Sequence, residues 1–121
     1  MLNKNTNAPL ILVVEDSVLV AMAIEDALQM RGFSVVVAST LAGARELIER
    51  RLPTAALLDL QLPDGMSLDL ALQLHQMGCS VAISSGFERN SIPEGFEFAA
   101  QFHKPVSPDI LAEWAGLIAV S

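Results

Sequence analysis

The chain has 121 residues, 52% of them hydrophobic and 17% charged, a size and balance that suit one domain with a buried core and exclude a disordered or coiled-coil protein. Seven basic residues against fourteen acidic ones give a net charge of -7, which repels nucleic acid and anionic membrane surfaces, so direct DNA binding is not expected. The single Cys79 excludes an internal disulfide and reads as a small core residue compatible with a reducing cytoplasm, and no apolar run reaches the roughly twenty residues of a membrane span.

Residues 1–9 hold Asn, Thr, Lys and Pro in place of the basic-then-apolar pattern of a secretory signal, and we read them as a flexible N-terminal tail before one soluble, cytoplasmic domain over residues 10–121. Residues 10–14 (Leu-Ile-Leu-Val-Val) are a continuous apolar run ending in Glu15-Asp16-Ser17, a strand that leads into two carboxylates and a helix cap. A helix over residues 18–30 follows, closed by Gly32. Its first half is apolar nearly all the way round, with Val18, Leu19, Val20, Met22 and Ile24, so part of that surface calls for a partner or a buried neighbour. Valine-rich residues 33–38 read as a second strand, and Thr40 caps a helix to Arg51 whose Leu41, Ala44, Leu47 and Ile48 form a core stripe.

Pro53 breaks that helix, and residues 54–58 read as a third strand that surfaces at Asp59 before the turn Pro63-Asp64-Gly65. Residues 66–77 have Leu68, Ala71, Leu72 and His75 at helical spacing, and Gly78 ends that helix. A fourth strand is expected over residues 79–84, then Ser85-Gly86. Residues 88–97 carry Pro93 and Gly95, and no regular helix is expected there. Residues 99–103 form a short fifth strand, and Pro108 opens a last helix with Ile110, Leu111, Trp114, Leu117 and Ile118 on its apolar face, a surface open to homodimer contacts. Strands and helices alternate five times, which predicts right-handed crossovers and an α/β, doubly wound, five-stranded parallel sheet.

In such a sheet, ligands bind outside the carboxyl ends of the strands. There the chain places Glu15 and Asp16, then Asp59, then Ser84 or Ser85, then Lys104. Acids decorate helix starts routinely, and Asp59 alone could be a turn residue; the conjunction on several strand ends is what points to a site. Carboxylates brought together need a cation, and hard oxygen ligands favour Mg²⁺, which takes carboxylates together with phosphate. A lysine and a hydroxyl beside it suit a phosphoryl group.

The segments Val13-Val14-Glu15-Asp16-Ser17, Leu57-Leu58-Asp59-Leu60-Gln61-Leu62-Pro63, Ser85-Gly86-Phe87 and Phe102-His103-Lys104-Pro105 resemble, in order, those of the response-regulator receiver domain of two-component signalling. The resemblance runs from Leu10 to about Ala119 and implies a stand-alone receiver with a flavodoxin-like sheet of strand order 2-1-3-4-5; the short segment with Pro93 and Gly95 departs from it and gives a short or irregular fourth helix. It implies that Asp59 accepts a phosphoryl group from a sensor histidine kinase or histidine phosphotransfer protein. Glu15, Asp16 and Asp59 would hold Mg²⁺ with the backbone carbonyl of Gln61. Lys104 would neutralise charge, Ser85 would bond the phosphoryl group, and a cis bond before Pro105 would aim Lys104 inward. Output would pass through a downstream protein target, the domain catalysing only its own phosphorylation and dephosphorylation. The apolar start of the first helix, around Leu19 and Val20, is the expected docking surface for the phosphodonor.

The chain departs from the family pattern in places. Gln101 stands where an aromatic switch residue is usual, Ser67 stands where the loop usually has glycine, with Gly65 near enough to take the unusual backbone angle, and Phe87 and Gln61 flank the phosphoryl position. These leave open a pseudo-receiver that binds without phosphate, or a phosphate sink. A haloacid-dehalogenase-type hydrolase would need a second aspartate two residues after Asp59, where Gln61 stands. Neither His75 nor His103 is expected to bind metal, and Trp114 is expected in the core or an interface.

Overall fold

Leu10–Val14 (β1) and Ala55–Asp59 (β3) are buried at every position, the burial expected of strands covered on both faces. They are the centre of a computed structural model that describes residues 8–86 and 92–119. Val18–Met30 (α1) follows β1, and Ser34–Ala38 (β2) and Leu41–Arg50 (α2) precede β3. After β3 come the short strands Gln61–Leu62 (β4) and Gly65–Met66 (β5), then Leu68–Gln76 (α3), Ser80–Ser85 (β6), Ala100–His103 (β7) and Pro108–Ala119 (α4). The main sheet has five strands in the order β2-β1-β3-β6-β7, every pairing parallel. With the small β4–β5 ribbon set aside, this is the expected order 2-1-3-4-5.

Alternation along the strands divides the core in two. Ile11, Val13, Ala55, Leu57 and Ala82 face α1 and α4, meeting Ile24, Leu28, Leu111 and Ala115, with Trp114 partly buried against them. Leu12, Val14, Ala56, Leu58, Val81 and Ile83 face the other way, with Ala44 and Ile48 of α2 and Leu70 and Leu74 of α3. Predicted and observed ends differ mostly by one residue, the ordinary fraying of element boundaries.

The larger difference lies after β3. Met66 was expected in a helix, yet Gln61 pairs with Met66 and Leu62 with Gly65 in an antiparallel ribbon, so α3 starts only at Leu68. Gly65 has φ 137°, a conformation open to glycine and strained for other residues. Ser67 keeps a negative φ of -85°, and its backbone N–H closes the ribbon on the Leu60 carbonyl at 2.9 Å. Its hydroxyl is fully buried without a hydrogen-bond partner among the described residues.

Residues 92–99 contain no helix, and of the expected irregular stretch 88–97 only this part, with Pro93 and Gly95, is described. Residues 87–91, with Phe87, lie outside the described residues, as does most of the 1–9 tail. Ile92, Phe96 and Phe98 pack on the α2–α3 side of the core, and Phe98 stacks on His75 with ring centres 4.1 Å apart. His75 is thus an exposed helix residue with an aromatic neighbour.

The ribbon is tied to the rest of the fold by Asp64. Its carboxylate accepts the N–H groups of Leu41 at 2.9 Å and Ala42 at 3.1 Å, while Thr40 Oγ1 accepts that of Gly43 at 3.0 Å. The first turn of α2 has no acidic residue of its own, so Asp64 supplies the anion at its positive end. The two N–H bonds hold the Asp64 pKa below the ordinary 3.8. A lowered folded-state pKa means that this carboxylate adds stability above the unfolded aspartate range, lost as pH falls through the folded value. In acid titrations followed by circular dichroism we expect Asp64→Asn to be less stable than wild type near neutrality, the gap closing below about pH 4; a constant gap would contradict the tie.

Candidate functional site

At the carboxyl end of the sheet, four strand termini deliver polar residues, and in β1 and β3 they stand where a fully buried apolar run ends. Glu15 and Asp16 follow β1, Asp59 closes β3, Ser84 and Ser85 close β6, and Lys104 follows β7. One carboxylate oxygen from each of Glu15, Asp16 and Asp59 lies within 4.8 Å of the other two. Glu15 and Asp59 are buried at 5% and 8% exposure, whereas Asp16 is open to solvent. Lys104 Nζ stands 2.8 Å from Asp59 Oδ1 and 3.4 Å from Glu15 Oε1. The peptide bond between Lys104 and Pro105 is cis.

Local bonds fix the loops that carry these groups. Glu15 donates its backbone N–H to the Ala38 carbonyl at 3.0 Å, and its Oε2 accepts the Ser17 N–H at 3.0 Å. Ser17 in turn caps α1, its Oγ accepting the Val20 N–H at 3.4 Å. Leu60 N–H reaches the Ser84 carbonyl and Lys104 N–H the Ser85 carbonyl, both at 2.8 Å, which keeps the ends of β3, β6 and β7 in register.

The electrostatics follow from this crowding. Burial raises the Glu15 pKa, with the Asp59 charge adding to the effect, against the Ser17 N–H and the Lys104 charge. For Lys104, burial opposes the ammonium, yet the hydrogen bond and charge of Asp59 and the charge of Glu15 outweigh it and raise its pKa. One cation is therefore shared by acids that outnumber it. That surplus of hard, partly buried oxygens, open to solvent at Asp16, fits a small divalent cation.

Sequence reasoning predicted Glu15, Asp16, Asp59 and Lys104, and the fold brings all four together. Gln61 sits two residues beyond Asp59, exposed and on β4. Of the two serines, Ser84 is in register with Asp59, while Ser85 is the buried last residue of β6, opposite His103. Gln101 lies exposed on β7. Sequence reasoning missed the tie made by Asp64, which reads in the sequence only as part of a turn. Ser84, one of the two hydroxyls it did offer, lines a cleft of about 490 Å³ with Glu15, Lys104, Val20, Ile24, Val106 and Leu111. The cleft reaches from the acids to α1, where Val18, Leu19 and Met22 are 69%, 79% and 54% exposed. No helix among the described residues is long and apolar enough to cross a membrane.

Comparison with known proteins bears on this arrangement. A family model, the response regulator receiver domain, matches residues 11–113. A CheY-like receiver domain protein from Methanospirillum hungatei JF-1 is 26% identical, with a TM-score of 0.80 over 94% of this chain and 96% of that one. A CheY-like receiver domain from Methylobacillus flagellatus is 26% identical, with a TM-score of 0.79 over 93% and 99%. SdrG from Sphingomonas melonis Fr1 is 28% identical, with a TM-score of 0.76 over 98% and 99%. The comparison with curated proteins found no match.

Proposed function

The chain belongs to the response regulator receiver domain family, and from that premise we propose that it is a phosphorylation-dependent signalling module whose acceptor is Asp59. The observation that carries the reading is the contact of Lys104 Nζ with Asp59 Oδ1 at 2.8 Å inside the acidic cluster. A nucleophilic carboxylate, a fixed ammonium and surplus oxygens for a cation are what phosphoryl transfer requires, since positioning and charge neutralisation provide most of its catalysis.

In this reading an Asp59 carboxylate oxygen forms a bond to the phosphorus of a phosphohistidine on a sensor histidine kinase or histidine phosphotransfer protein. The nitrogen–phosphorus bond breaks with its electron pair left on the imidazole. Lys104 holds Asp59 in place beforehand and then faces the charge on the transferred oxygens. Glu15, Asp16 and Asp59, with the Gln61 carbonyl, would hold Mg²⁺, which when bound neutralises charge on the phosphoryl oxygens. Ser85 bonds the phosphoryl group, with Ser84, in register with Asp59, as the competing hydroxyl. The output is binding to a downstream protein target in the cytoplasm.

The test is intact mass after incubation with a small-molecule phosphodonor. A gain of one phosphoryl group is expected with Mg²⁺ and not with a chelator. Ser85→Ala should alter the lifetime of that product more than Ser84→Ala, and the reverse result would move the role to Ser84. No gain with any donor would favour the pseudo-receiver, a reading that the exposed Gln101 keeps alive.

The exposed apolar start of α1 lies beside the cleft and serves as the phosphodonor docking face. Val20 is 43% exposed, so a charge there can be solvated without opening the core. Val20→Lys should slow transfer from a cognate phosphodonor protein about tenfold or more, the cost of losing one good interface anchor, while small-molecule phosphorylation stays at the wild-type rate. Equal transfer rates would remove α1 from the interface.

A further inference from the structure

The loop after β1 and the loop after β3 both attach to one corner of the fold, residues 38–42, between β2 and α2. From the first loop, Glu15 donates its N–H to Ala38 O at 3.0 Å. From the second, Asp64 accepts the N–H groups of Leu41 and Ala42 with both carboxylate oxygens. The contact is close in the apolar sense too. A Cβ at Gly65 would meet Leu41 Cδ1 at 3.4 Å, and Leu62, Ala38 and Leu41 share one buried cluster. Asp59 and Gln61 sit at the root of the ribbon whose tip Asp64 fastens. The corner is therefore a common frame for both acid-bearing loops.

We propose that Asp64 is a positioning residue for cation binding: by pinning the β4–β5 turn to the start of α2, it sets the spacing between the Asp59–Gln61 side and the Glu15–Asp16 side. The inference rests on the reading that these residues hold Mg²⁺. Its physical basis is that hydrogen bonds outside the ligand set orient the groups that carry ligands; those made directly to a ligand are worth about ten- to a hundredfold in metal affinity, and a bond one step further out is expected at the lower end of that range. Asp64 acts through both ends of its contact. It holds the turn in place and satisfies two N–H groups of α2 that the helix cannot satisfy itself.

The experiment is a titration with Mg²⁺ alone, followed by backbone amide NMR shifts, on the wild type, Asp64→Ala, Asp64→Asn and Thr40→Ala, with thermal unfolding of each. Asp64→Ala should raise the half-saturating Mg²⁺ concentration about tenfold. Asp64→Asn keeps one acceptor oxygen and should fall between it and the wild type, and it stands in should the alanine variant fail to fold. Thr40→Ala removes the other cap of α2 and should lower the melting temperature while leaving the Mg²⁺ midpoint in place. Phosphorylation of the Asp64 variants should return toward the wild-type rate at saturating Mg²⁺. An Asp64 variant that melts earlier but binds Mg²⁺ as the wild type does would overturn the proposal alone. A Thr40→Ala shift as large as that of Asp64→Ala would also overturn it, assigning the effect to general loosening of α2. A wild type that shows no Mg²⁺ response would overturn the underlying reading and this proposal with it.

Discussion

Asp59→Asn should abolish phosphoryl incorporation altogether while leaving the fold intact. The amide has the shape of the carboxylate but no charge and no comparable nucleophilicity, so the oxygen that would bond phosphorus is lost. Its effect on stability is expected to be small because two changes oppose each other. One of the clustered acids disappears, which relieves repulsion, and Lys104 loses its 2.8 Å partner but keeps Glu15 at 3.4 Å. The variant should melt within a few degrees of wild type, and intact mass should show no phosphorylated species. Full incorporation in the variant would mean that another side chain is the acceptor.

Lys104→Ala is the second large effect, and it splits two quantities that a structural defect would move together. Removing one preorganised charge from a reacting group costs roughly 10²–10³ in rate, and we expect a loss of that size in phosphorylation by a small-molecule donor. Cation binding should change in the opposite direction. Without the ammonium, Glu15, Asp16 and Asp59 repel one another unrelieved, so the metal-free variant is less stable and gains more from Mg²⁺ than the wild type does. Thermal unfolding with and without Mg²⁺ reads this out. Equal stabilisation of the two proteins would show that Lys104 does not share the charge of the acids.

Much of this was legible in the sequence because buried parallel strands write themselves plainly. Leu10–Val14 and residues 55–58 are apolar up to the point where a carboxylate, Glu15 or Asp59, joins the acidic cluster. Cluster membership was legible for the same reason: Glu15, Asp16, Asp59 and Lys104 all follow a run that ends at the same edge of the sheet. The β4–β5 ribbon was not, since two-residue strands have no periodicity and Met66 continued an apolar pattern that suits a helix equally well. Nor was the Asp64 tie, which joins residues 22 and 23 positions apart and leaves in the sequence only an ordinary Pro-Asp-Gly turn. The choice between Ser84 and Ser85 depends on side-chain direction at a strand end, where alternation gives way to a loop.

Cys79 has a consequence for how this protein can be watched. Its side chain is 2% exposed, and burial pushes the thiol up to about 12, so at neutral pH the native protein presents almost no thiolate to an alkylating reagent. The chain has no second cysteine to confuse the signal. Alkylation is thereby a clock for opening of the α3–β6 junction, where Cys79 lies, and any ligand that binds only the folded form should slow that clock in proportion to its occupancy.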